Sequence, residues 1–234
     1  MKQLITCIKT NPSFLNGMKV VLLLLAIFIV PQTIFAHGGV DLTGLPTKDI
    51  AFIYLKLGYE HIIPLGLDHI LFVLCLFFLS PKLKTVLWQA TAFTIAHSIT
   101  LGLSIYGIIS PPTHIIEPII ALSILFVAIE NIIVSNLKPG RIILVAVFGL
   151  IHGMGFASAL SELGLPKDQF LTSLITFNVG VELGQFTIIL LAWLLIGKWF
   201  NKKPWYKKRV VIPISIVIAA ISFYWTIERI FFTS

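Results

Sequence analysis

Six runs of roughly 20 apolar residues, joined by short polar connections, dominate this chain, at 62–80, 85–107, 114–134, 141–161, 171–197 and 209–228. A helix that crosses bilayer hydrocarbon needs about 20 such residues, because each adds about 1.5 Å toward a thickness near 30 Å. Only 12% of the 234 residues are charged and the mean hydropathy is +0.99. Ordinary soluble domains carry about 25% charged residues, so this composition cannot cover a water-facing surface. The expected fold is all-α, a polytopic transmembrane helical bundle of six spans whose main partner is the lipid bilayer.

The first 36 residues are organised differently. Lys2, Lys9 and Lys19 precede the apolar VVLLLLAIFIV, and PQTIFA ends at Ala36 before a polar HGG. That is the order of a signal peptide cleaved after Ala36, although Ile34 stands where a small residue is preferred. Cleavage would leave His37 at the new terminus, where its imidazole and the free amine could chelate a divalent metal, or where it is simply the first residue of a polar exit. Residues 37–61 then form an N-terminal segment too polar for a clean span, expected as an interfacial or partly re-entrant helix with Ile50, Phe52, Ile53 and Leu57 as its apolar surface. Residues 62–234 make a single transmembrane domain.

The net charge of +7 and pI near 9.5 do not point to nucleic acid, because the basic residues sit in the joints between apolar runs. Lys82 and Lys84; Lys138 and Arg141; and Lys198, Lys202, Lys203, Lys207, Lys208 and Arg209 occupy alternate joints. The positive-inside rule puts those joints in the cytoplasm and both ends of the mature chain outside. Two cysteines, Cys7 and Cys75, support neither a disulfide framework nor a thiolate metal site. Pro111-Pro112 and Lys138-Pro139-Gly140 mark tight connections, leaving no room for a soluble domain.

Ionisable groups at membrane depth are costly unless they pair, face a cavity or bind an ion. The first run opens with EHIIPLGLDHILF, in which a continuous helix puts His61 and Asp68 within about 20° of one face and His69 about 80° away. Pro64 and Gly66 lie between them and can open that helix. Asp68 and His69 read as an ion-handling pair or as a structural buried pair, and His61 as the guard of a path or an interfacial residue. His97 lies near the middle of the second run, as a ligand or a hydrogen-bonded packing residue. Glu130 ends the third run, either pairing with Lys138 or Arg141 or marking the inner exit of a cation path.

In the fourth run Gly149, Gly153 and Ala157 recur every four residues, a seam for close helix approach that carries His152 beside it. In the fifth, Asn178, Glu182 and Gln185 line one face at intervals of four and three. A glutamate at that depth needs a proton or a positive partner, such as a bound cation or an imidazolium. Together His69, His97, His152, Asp68 and Glu182 come from four runs, and nitrogen and oxygen donors suit Ni(II), Co(II), Zn(II) or Cu(II) alike. No motif for an organic cofactor is present.

The segments HIIPLGLDHILFVL, FTIAHSITL, IENII, FGLIHGMGFASAL and FNVGVELGQ resemble the HupE/UreJ family, more closely its second subgroup, over nearly the whole mature chain. The resemblance implies a small multi-pass protein of the bacterial inner membrane, linked to nickel supply for hydrogenase or urease, with nickel permease activity. It further implies first contact and selection by His61, Asp68 and His69, with His97, His152 and Glu182 at matching motif positions. The chain departs from the family form in placing Ile62 and Ile63 before Pro64, where proline usually follows the first histidine directly.

Three function classes follow. The leading one is uptake of a divalent transition-metal cation, nickel or cobalt, with zinc or copper also compatible. The second is a membrane accessory or assembly protein that works with metalloenzyme maturation proteins without transporting. The third is an intramembrane metalloenzyme, which the absence of HExxH or any recognisable reacting pair disfavours. No P-loop is present, so active transport needs an ion gradient, the membrane potential or a partner.

Overall fold

The computed structural model describes residues 44–134, 137–157, 160 and 167–232. His37 and the expected signal peptide lie outside them. The described chain is all-α: α1 Thr47–Ile62, α2 Leu67–Leu79, α3 Leu83–Ile105, α4 Thr113–Ile133, α5 Arg141–Gly155, α6 Phe170–Ala192 and α7 Ile212–Phe231. Wider π-helical turns extend α6 through Trp193–Gly197 and precede α7 at Lys207–Val211. Among the described residues, four continuous helices are long and apolar enough to cross a membrane: Leu83–Ile105, Thr113–Ile133, Phe170–Phe200 and Lys207–Phe231. A fifth crossing arises if α1 and α2, bent by 69° across a short break, count as one broken span. The shorter apolar α5, at 15 residues, is about 22 Å long.

The surface is inverted relative to a soluble protein. Ile95, Ile99, Phe126, Leu190 and Phe223 are each more than half exposed, while the interior holds His69, Gln89, His97, Asn131, Arg141, His152, Asn178 and Gln185. Burying polar groups and exposing apolar ones is favourable only where the surrounding solvent is hydrocarbon. The chain is a polytopic membrane bundle.

Three close helix pairs build it, α1 with α6, α3 with α5, and α4 with α7. Small residues explain two of them. A Cβ on Gly58 would overlap the Phe177 carbonyl oxygen, and one on Gly180 the Leu55 carbonyl, so α1 lies against α6 backbone to backbone. On α5, the seam read from the sequence does the same: a Cβ on Gly149 would overlap the Phe93 carbonyl, and one on Gly153 the His97 carbonyl.

The α1 segment, expected as an interfacial or partly re-entrant helix, packs against α6, with Ile50, Tyr54, Gly58 and Ile62 buried at four-residue intervals. Between the pairs sits α2, with nine of its 13 residues buried, so lipid touches little of it. At about 20 Å it is too short to cross alone.

Candidate metal centre

The break between α1 and α2 builds the site. Pro64 has no backbone N–H to continue α1, and Gly66 fits where a Cβ would overlap the His61 carbonyl oxygen. The chain therefore bends by 69°, and the last turn of α1 meets the first turn of α2. His61 and His69 come together with ring centroids 4.7 Å apart. His97, from the middle of α3, completes the group at 6.3 Å from His61 and 5.8 Å from His69.

One ligand nitrogen from each of His61, His69 and His97 lies within 4.8 Å of the others. Donor atoms sharing one ion at bonds of about 2.1 Å stand roughly 3–4 Å apart, so small ring rotations close this triad. His69 and His97 are buried, and the Nε2 atoms of all three rings are buried without a hydrogen-bond partner. Unsatisfied buried polar atoms are rare, and one on each of three clustered rings calls for an account.

The tautomer of His97 follows from its neighbours. Asn178 Nδ2 donates to the Leu174 carbonyl at 2.8 Å, which orients the carboxamide and presents Oδ1 to His97 Nδ1 at 3.3 Å. An oxygen only accepts, so His97 Nδ1 carries the hydrogen and Nε2 the lone pair. A carbonyl holding the far N–H of a ligating imidazole is the usual support of a metal-binding histidine. The four-residue spacing from Asn178 to Leu174 and the facing turn of α3 make that arrangement a product of α6 geometry.

His152 stands beside the triad, 5.1 Å from His69 between ring centroids, and packs on Phe72 and Phe93. Ser123 donates to the Ile120 carbonyl at 2.7 Å and so accepts from His152 Nε2 at 3.0 Å, leaving His152 Nδ1 buried and unpartnered. Asp68, next to His69 in sequence, is not drawn into the triad. Its carboxylate takes two hydrogen bonds from Arg229 Nη2, at 2.9 and 3.1 Å.

The face read on the fifth run also lies inside. Gln185 meets Thr94 at 3.4 Å, and Thr91 donates to Glu182 Oε1, whose Oε2 is buried and unpartnered. Thr91 and Thr94 stand two turns and one turn from His97 along α3, so Asn178, Glu182 and Gln185 continue a polar seam away from the histidines. Glu130 belongs elsewhere, 3.2 Å from Arg141 in a largely buried ion pair. Nearby on α4, Asn131 Nδ2 donates to the Cys75 carbonyl at 2.9 Å.

Sequence reading missed Arg229, Ser123 and Thr91. For Arg229 there was a signal: with the expected orientation it falls on the outer side, against the bias of the other basic residues, and an arginine at such a place needs a partner. Ser123 and Thr91 are ordinary small polar residues in apolar helices, and no pattern marks them.

Residues 42–229 match the family model described as HupE / UreJ protein, and the chain belongs to that family. No curated protein matches it. No solved structure matches it either.

Proposed function

We propose that this member of the HupE/UreJ family moves a divalent transition-metal cation, nickel or cobalt, across the bacterial inner membrane toward the cytoplasm. The observation that carries the reading is the cluster of three imidazoles, His61, His69 and His97, each of which also has a buried, unpartnered Nε2. Nitrogen donors favour later first-row divalent ions over magnesium or calcium, which prefer oxygen. Zinc and copper fit the same donors.

Four continuous crossings and a fifth through the broken α1–α2 pair suit the reading, that break being the discontinuous element that places a site inside the bundle. The ion sheds water at the break and binds His61 and His69 first, because both stand at the helix ends that frame it. His97, held by Asn178, takes it deeper, with His152 Nδ1 as a neighbouring donor. From there the seam of Asn178, Gln185 and Glu182 offers oxygen donors, which hold a late divalent ion more loosely than imidazole. Weakening contacts in sequence let an ion leave, which a single tight cage would prevent. Glu130, paired with Arg141, anchors helix ends near the basic joints rather than binding the ion.

Purified protein in sealed vesicles is the test, with Ni, Co, Zn, Cu and Mn supplied outside under applied pH and voltage gradients. Metal-specific flux that His97→Ala abolishes is expected. Binding without flux under every gradient would replace transport with the accessory or assembly role.

A further inference from the structure

Arg229 reaches from the last turn of α7 to grip two other helices. Its Nη2 donates to both carboxylate oxygens of Asp68 on α2, and its Nη1 to the Glu117 carbonyl on α4 at 3.1 Å. The guanidinium also lies 5.5 Å from the ring centre of Trp225 on its own helix. Both partners of the ion pair are mostly covered, with side-chain exposures of 19% and 24%. Asp68 precedes His69 directly, so the carboxylate nearest the triad in sequence is already occupied by an internal cation.

The charges then conflict. Three neutral imidazoles bring no negative charge to a dication, and Asp68 is cancelled by Arg229. In a poorly solvated interior a neighbouring anion strongly favours a bound dication, and a neighbouring cation opposes it. We infer that Arg229 is a built-in competitor for the metal: it holds Asp68 while the triad is empty and yields the carboxylate to the ion when the triad fills.

Released from Asp68, the guanidinium keeps the Glu117 carbonyl and the Trp225 face, so it need not be left unpaired. The exchange limits affinity and drives release, since the returning guanidinium displaces the ion from Asp68. Arg229 is thus a positioning residue acting through Asp68. The inference rests on the triad being the metal site.

The experiment measures Ni(II) and Co(II) dissociation constants of detergent-purified protein by equilibrium dialysis, with Co(II) d–d absorption as a report on ligands. Arg229→Gln frees Asp68 and is expected to bind metal about tenfold more tightly, as coupled neighbours commonly show. Arg229→Lys, with one nitrogen where arginine uses two, is expected between wild type and Arg229→Gln, and it carries the test if Arg229→Gln does not fold. In an Asp68→Asn background the gain from Arg229→Gln should disappear, and the Co(II) spectrum of Asp68→Asn should differ from wild type.

Unchanged or weaker binding in both Arg229 variants overturns the inference. So does a gain of equal size in the Asp68→Asn background, which would make Arg229 a remote repulsive charge only. A wild-type protein that binds neither metal overturns the triad reading itself, whereas binding by wild type without the Arg229 effect overturns only the competitor role.

Discussion

His97 and Asn178 face each other across the α3–α6 interface, with the imidazole Nδ1–H donating to the carboxamide oxygen at 3.3 Å. Because Asn178 is itself pinned to the Leu174 carbonyl, the bond fixes both the tautomer and the ring angle of His97. Removing it with Asn178→Leu should leave the three imidazoles in place but free the ring. Metal affinity is expected to fall about 10- to 100-fold, the usual cost of losing such a support. Equilibrium dialysis checks it, and an unchanged dissociation constant would show that His97 is not a ligand.

The four clustered histidines should separate by position. Alanine at His61, His69 or His97 deletes a member of the triad and is expected to abolish measurable Ni(II) binding. His152→Ala deletes a ring that already has Ser123 as a partner and should weaken binding less. Titration of each variant with Co(II), followed by absorption, gives the ranking. Equal loss in all four would enlarge the site to include His152.

Helix contact through glycine gives a prediction about folding rather than binding. Gly153→Leu places a side chain where the His97 carbonyl oxygen and the Thr100 hydroxyl already sit. Overpacking of this kind costs about 1–3 kcal/mol or more. Because α5 must back away from α3, thermal stability in detergent should fall and metal binding should fall with it. Gly140→Ala, where nothing lies within 4 Å, is the matched control and should change neither.

Glu130 and Arg141 make a strong pair for a double-mutant cycle, since their side chains are only 15% and 1% exposed. Glu130→Gln or Arg141→Met alone leaves an uncompensated charge or an unmatched polar group inside the bundle. Each is expected to destabilise by about 3–5 kcal/mol, whereas both together should cost far less. Denaturation in mixed micelles measures the coupling. Additive losses would mean that the two side chains do not meet in the membrane.

How much was legible in the sequence varies with how local the cause is. The seam of Gly149, Gly153 and Ala157 was readable because helical periodicity alone puts those positions on one face, and α5 does pack there against α3. The polar face of Asn178, Glu182 and Gln185 was readable for the same reason. By contrast, α1 read as an interfacial or partly re-entrant helix because its polar residues are scattered along it, and nothing in its own pattern announces that Gly58 is matched by Gly180 on a helix more than a hundred residues later.

The opening motif shows where sequence stops. Residue types and hydropathy by themselves determined an all-α membrane bundle, its apolar runs and the presence of histidines too deep to be solvated. On a continuous helix His61 shares a face with Asp68, but the turn at Pro64 and Gly66 bends α1 from α2 by 69° and brings His69 to His61 instead. That bend sends Asp68 to Arg229, 161 residues away in the chain, and leaves the histidines to meet His97. Only tertiary structure could decide these partners, because periodicity fixes direction within one helix while a break, and the packing of other helices around it, resets direction between two.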